Sequence, residues 1–133
     1  MPEQKNHHRL SLYPAVLSSM LALTLPAIAA ELPIKGSYGN KDGCDYAMTG
    51  ESTGSDNFFL LTSEAVTTAS AYCTFKEVHE DPDNGFTVTA TCEEEGGNEE
   101  QAPFEIDIDR AGPDSYLLKI DDGSTWGPLA LCR

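Results

Sequence analysis

The sequence predicts an all-β domain: a small antiparallel meander barrel or sandwich of about seven or eight strands, stapled by disulfides. Three observations predict it. Apolar residues recur with a period of two in several short runs, the spacing that puts alternate side chains on one face of a strand. Clusters of Gly, Pro, Asn and Asp separate these runs at roughly 8–12 residues, as turns do in sandwiches and barrels. No stretch of useful length carries the helical period. The chain is 133 residues long, which is one domain's worth.

Taken in order, the chain opens with Lys5 and Arg9 and then runs uncharged from residue 10 to residue 30. Inside that stretch, residues 15–25 are mostly apolar, and the segment ends Pro26-Ala27-Ile28-Ala29-Ala30. A basic start, a short apolar middle and a small-x-small exit make residues 1–29 a secretory signal peptide. Ala27 and Ala29 occupy the two positions where small side chains are preferred, so cleavage follows Ala29. Cleavage after Ala30 would put the bulkier Ile28 at the upstream position. Pro14, Pro26 and the lack of stop-transfer charges argue against an uncleaved anchor. The first cysteine is Cys44, so no thiol stands where a lipid would attach. Processing removes Glu3, Lys5 and Arg9 and leaves residues 30–133 as a single β domain, one charge unit more negative than the whole chain.

Residues 57–62, Asn-Phe-Phe-Leu-Leu-Thr, are apolar and short, a first strand. Ser63-Glu64-Ala65-Val66 is the one place that could make a turn of helix. Thr67-Thr68-Ala69-Ser70 then leads into Ala71-Tyr72-Cys73-Thr74-Phe75, with Ala71, Cys73 and Phe75 on one side. The clearest strand follows: Phe86, Val88, Ala90 and Cys92 alternate with Thr87, Thr89, Thr91 and Glu93, which places the threonines toward solvent. Phe104, Ile106 and Ile108 alternate likewise with Glu105, Asp107 and Asp109. Tyr116-Leu117-Leu118-Lys119-Ile120 and residues 126–131 complete the set. Turn signals stand at residues 39–43, 54–57, 81–85, 96–98, 111–114 and 121–123. The acidic run over residues 92–100 reads as a solvated hairpin loop that also discourages edge-to-edge strand pairing.

All four cysteines, Cys44, Cys73, Cys92 and Cys132, fall after the signal segment. An even count in a small exported domain reads as two disulfides. No C-x-x-C spacing exists, and His79 is the only histidine outside the signal, so zinc is the poorer reading. Of the three possible connectivities, Cys44–Cys73 with Cys92–Cys132 is favoured. The rival nests a hairpin bridge, Cys73–Cys92, inside Cys44–Cys132.

With 22 acidic and 8 basic residues the net charge is −14. That excludes a basic nucleic-acid binder, which needs clustered Lys and Arg to neutralise phosphates. The catalytic inventory is poor. His79 flanks the turn at residues 81–85, where a histidine is ordinarily exposed. Oxidised cysteines supply no thiolate. No phosphate-cradling loop, metalloprotease helix or dinucleotide fingerprint is present. Asp81, Asp83 and Asn84 lack the ordered spacing of a calcium loop and read as a tight turn. The expectation is a protein that is not an enzyme and uses no cofactor or metal.

Gly36-x-Tyr38-Gly39, Cys44, the strand Cys73-Thr74-Phe75, the strand end Cys92-Glu93-Glu94-Glu95-Gly96 and the closing Trp126-Gly127-Pro128-Leu129 with Cys132 resemble small exported proteins of Gram-negative bacteria. In size, export and β-barrel character the chain is also similar to periplasmic inhibitors of animal-type lysozyme. That likeness covers architecture alone. The family's inhibitory loop, a Ser-Gly-x-x-Tyr-like segment, has Ala69-Ser70-Ala71-Tyr72 as its nearest string here, without the glycine, so Tyr72 reads first as a strand residue. The functional expectation is an exported, acidic binding protein of the periplasm or exterior, steered by its charge to a cationic protein or peptide such as lysozyme or a defence peptide. A secreted virulence effector acting on a host cell and a structural envelope protein are the alternatives. The partner-binding candidates are Glu105, Asp107 and Asp109, which must share a face if their strand is real, and Glu93, Glu94 and Glu95.

Overall fold

The computed structural model describes residues 30–97 and 101–133. Eight strands run in chain order around a closed antiparallel barrel: β1 (Tyr38–Gly39), β2 (Phe59–Leu61), β3 (Ala65–Thr68), β4 (Ala71–Asp81), β5 (Gly85–Glu94), β6 (Phe104–Gly112), β7 (Ser115–Ile120) and β8 (Thr125–Leu131). Tyr38 pairs with Leu61 on one side and Leu131 on the other, which closes the ring. A barrel of this size has an interior just wide enough for side chains to fill. The period-two residues fill it. Leu61, Val66, Cys73 and Cys92 form one inward row across β2–β5. Val88, Ile106 and Ile120 form another, and Phe86, Ile108 and Leu118 a third. Phe75, Leu61, Val66, Val88, Ile106, Ile108, Leu118 and Leu129 are fully buried, each such side chain contributing about 1.5–3 kcal/mol. Leu32, preceding the barrel, joins the core, with its N–H donating to the Ser63 carbonyl at 2.7 Å.

Four expectations are corrected. The glycine- and asparagine-rich segment read as a turn starts a nine-residue helix, α1 (Lys41–Thr49). Its signals were caps. The Asn40 side chain accepts from the Gly43 N–H at 3.0 Å, and Gly50 closes the helix at φ 75°, its N–H donating to the Tyr46 carbonyl. Residues 63–66 make no helical turn: Thr62 and Ala65 bracket a tight reversal, Thr62 N–H donating to the Ala65 carbonyl at 2.9 Å, and Ala65 and Val66 begin β3. Thr91, placed on the solvent face by its alternation, is buried; Gln101 returns beside Cys92, its N–H donating to that carbonyl at 3.0 Å, so chain runs along this end of β5.

The favoured disulfide pairing is also overturned. The bridges are Cys44–Cys132 and Cys73–Cys92. Cys73 and Cys92 are direct register partners on β4 and β5, both pointing inward, so the hairpin itself brings their sulfurs together. Cys44 on α1 then meets Cys132 at the end of β8, across a sequence separation of 88. No described cysteine is free. Among the described residues no helix is long and apolar enough to cross a membrane. The segment read as a signal peptide, residues 1–29, lies outside the described residues, as do Asn98, Glu99 and Glu100 of the acidic run.

Candidate partner-binding surfaces

The alternation of β6 settles where its acids stand. Ile106 and Ile108 are 0% exposed inside the barrel, so Glu105, Asp107 and Asp109 project from the outer wall. Thr89 lies opposite Glu105 and Thr87 opposite Asp107. The Thr87 hydroxyl donates to the Asp107 carboxylate at 2.9 Å. On the other flank Lys119 stands opposite Asp107 and reaches diagonally to Asp109, with Nζ 2.6 Å from its carboxylate. The hydrogen bond and charge of Asp109 raise the Lys119 ammonium above its ordinary value. Solvent screens this exposed pair, so it adds little to stability, yet it neutralises one of the three acids. On β4, Glu77 and His79 continue the same wall, opposite Thr89 and Thr87, with their side chains 3.7 Å apart. The His79 side chain is 72% exposed. The wall is therefore wet and net acidic.

Glu93, Glu94 and Glu95 are elsewhere. Glu93 and Glu94 end β5, opposite Tyr72 and Ala71, and the Glu95 N–H donates to the Ser70 carbonyl at 2.9 Å. This part of the acidic run is strand and turn. Glu105 faces Thr89, four residues before Glu93, so the two acidic sets are about 13 Å apart along the strand.

The second set belongs to a concave surface that the sequence reading did not find. Leu60, Thr67, Tyr72 and Glu93 form an outward row across β2–β5. Leu60 is nonetheless only 6% exposed, because α1 and the chain following it fold over the outside of β2. Asn40 fastens this cover. Its side-chain oxygen accepts from the Phe59 N–H at 3.2 Å as well as from Gly43, and its Nδ2 donates to the Asn57 carbonyl at 2.6 Å. Two glycines allow the close approach: a Cβ on Gly43 would sit 2.0 Å from the Phe59 carbonyl oxygen, and one on Gly39 2.9 Å from it. Between the cover and the outer face of β2–β4 lies a groove of about 850 Å³. Leu60 and Thr67 form its floor, and Tyr46, edge-on to Phe58 with ring centroids 5.7 Å apart, forms one wall. Tyr72 lines it from β4, and Asp56, Glu64 and Glu95 contribute carboxylates. Among the described residues no Lys, Arg or His lines it. A shallower extension of about 290 Å³ continues past Tyr72 to Glu93 and Glu94. Tyr46 is 40% exposed and Tyr72 46%.

One signal for the groove was in the sequence. Phe58-Phe59-Leu60-Leu61 is apolar at every position, whereas a strand with a solvated outer face alternates; a continuous run means that both faces are covered. Among the described residues no group of three or more His, Cys, Asp or Glu side chains could hold a metal ion. No family model, curated protein or solved structure matches the chain.

Proposed function

We propose that this is an exported, non-enzymatic binding protein of the bacterial envelope or exterior, which recognises a cationic protein or peptide, with lysozyme and cationic defence peptides as the leading candidates. The observation that carries the reading is the charge and its placement. A chain of net charge −14 folds into a barrel whose β4–β7 wall carries Glu77, Glu105, Asp107 and Asp109, with Lys119 paired to Asp109. Such a field raises the encounter rate with an oppositely charged partner. Two disulfides support an oxidising destination, and the eight-stranded barrel supports the architectural likeness to lysozyme inhibitors.

The test has two arms. Mass spectrometry of protein recovered from periplasm or medium should give a start at Ala30, or at Glu31 for the alternative cleavage; an unprocessed chain in the cytoplasm refutes export. Lysozyme binding should weaken steeply between low and physiological salt, because exposed charges are screened beyond a Debye length of about 8 Å at about 0.15 M. Neutralising Glu105, Asp107 and Asp109 together to Gln and Asn should slow association more than it speeds dissociation. If no cationic partner binds above an unrelated acidic protein, the charge serves solubility, and the effector or structural reading takes its place.

A further inference from the structure

We propose that the groove over β2–β4 is the anchoring site for an arginine-bearing segment of the cationic partner, with the β4–β7 wall acting only in encounter. The proposal rests on the reading of a cationic partner given above and goes further, in naming where that partner is held and by which side chain.

The two acidic surfaces differ in what they offer a bound cation. The charge of the β6 wall is partly cancelled by Lys119. A guanidinium docked there keeps its water and gains a screened interaction of modest strength. The groove offers concavity, aromatic faces and unopposed carboxylates together. Its volume of about 850 Å³ lies within the usual range for ligand pockets, about 300–1,000 Å³. The apolar floor at Leu60 suits the methylene stem of a long basic side chain, which packs on apolar surface while its head stays polar. Tyr46 and Tyr72 present half-exposed rings, and a guanidinium over such a ring is attracted to its face the more strongly the further it is desolvated. Asp56, Glu64 and Glu95 are three carboxylates with no cation among the groove's own residues, able to accept the paired N–H donors of arginine. Arginine suits this combination better than lysine because its planar head both stacks and forks. The extension past Tyr72 to Glu93 and Glu94 gives room for neighbouring residues of an extended segment.

The test uses the processed, oxidised protein and an arginine-rich peptide, with the citrulline version of the same peptide as an uncharged isostere. Association and dissociation rates are read by surface plasmon resonance. Tyr72→Ala and the conservative Glu64→Gln and Glu95→Gln should each speed dissociation, by about tenfold for the tyrosine, with association changed less than twofold. Thr67→Arg, which places a guanidinium on the groove floor, should abolish peptide binding. The citrulline peptide should bind far more weakly than the arginine peptide. Tyr72 and Glu64 are not core residues, and the thermal midpoint of each variant reports whether it has folded; Thr67→Arg gives a readout independent of truncation. If the groove variants leave dissociation unchanged while neutralising Glu105, Asp107 and Asp109 weakens binding, the anchor is not the groove, although the protein still binds cations. If the arginine peptide binds no better than its citrulline counterpart at low salt, both this proposal and the cationic-partner reading fall.

Discussion

Gly43→Ala should destabilise the protein even though it improves the helix. By propensity alone the change is favourable: alanine in a helix interior is about 1 kcal/mol better than glycine. The structure reverses the sign. The new Cβ would lie 2.0 Å from the Phe59 carbonyl oxygen and 2.8 Å from its carbonyl carbon, and both are backbone of β2, so no side-chain rotation relieves the clash. To reach ordinary contact α1 must lift off β2 by more than an ångström. The same shift pulls Asn40 away from Phe59, whose N–H donates to the Asn40 side-chain oxygen and whose carbonyl accepts from the Asn40 N–H, at about 1 kcal/mol each. It also reopens the cover over Leu60 and Phe58, which are 6% and 7% exposed, and re-exposing part of two such side chains costs about 1–3 kcal/mol more. Against the gain of about 1 kcal/mol, the expected net loss is about 2–4 kcal/mol. Urea unfolding followed by circular dichroism measures it, with Gly50→Ala as the comparison: a Cβ there meets nothing within 4 Å and the cost comes only from φ 75°. If Gly43→Ala is neutral or stabilising, α1 does not sit against β2 as described, and the groove it encloses has a different shape.

Two further outcomes follow from the bridges and one turn. Replacing both Cys44 and Cys132 with Ser, which frees a separation of 88 residues, should cost about 4.6 kcal/mol on loop-closure grounds; the Cys73–Cys92 bridge, spanning 19, should cost about 3.2 kcal/mol. Urea midpoints of the two double variants check the order, and a larger loss for the short loop refutes the entropic account. In the β7–β8 turn the Ser124 hydroxyl and N–H, the latter at 2.7 Å, hold the Asp122 carboxyl below its ordinary value. A depressed folded-state value means stability that is present above the unfolded value, about 3.9, and lost as pH falls through the folded one. The difference in thermal midpoint between the wild type and Asp122→Asn should therefore be present at neutral pH and vanish in acid; a difference that persists unchanged in acid refutes it.

The strands were legible because a filled barrel imposes its alternation on sequence. Phe86, Val88, Ala90 and Cys92 point inward as their period requires, and Ile106 and Ile108 fix the outward placement of Glu105, Asp107 and Asp109. What escaped were features that depend on neighbours distant in sequence. Asn40 and Gly43 look like turn residues because the same chemistry serves caps and turns, and only the backbone of β2 explains why glycine is required inside α1. The pairing of Cys73 with Cys92 needed the register of β4 on β5, which the turn at residues 82–84 sets only as far as Glu77; the irregularity between Phe75 and Glu77 shifts it by one residue and brings Cys73 opposite Cys92. Tyr72 was read first as a strand residue. It becomes part of a concave surface through Leu60 and Thr67, its partners across two strand pairings.

Closure of the barrel also changes what the charge is for. An open sheet needs acids at its edges to prevent pairing with other chains, and the run over residues 92–100 read that way from sequence. Here β1 pairs with both β2 and β8, so the ring has no free edge strand for such acids to guard. The part of the run carried by Glu93 and Glu94 is paired to β4 within the wall. Solubility alone is served in a small domain by a net charge of about 2–8 units, and this chain carries −14. The excess repels itself and weakens the folded state, a cost that the two disulfides offset by constraining the unfolded chain. With no edge to protect, such repulsion is what the proposed attraction toward a cationic partner would account for. The acids lining the groove bear on that proposal most directly: Asp56, Glu64 and Glu95 line a surface with no cation among the described residues, where a partner's guanidinium would relieve their repulsion as it binds.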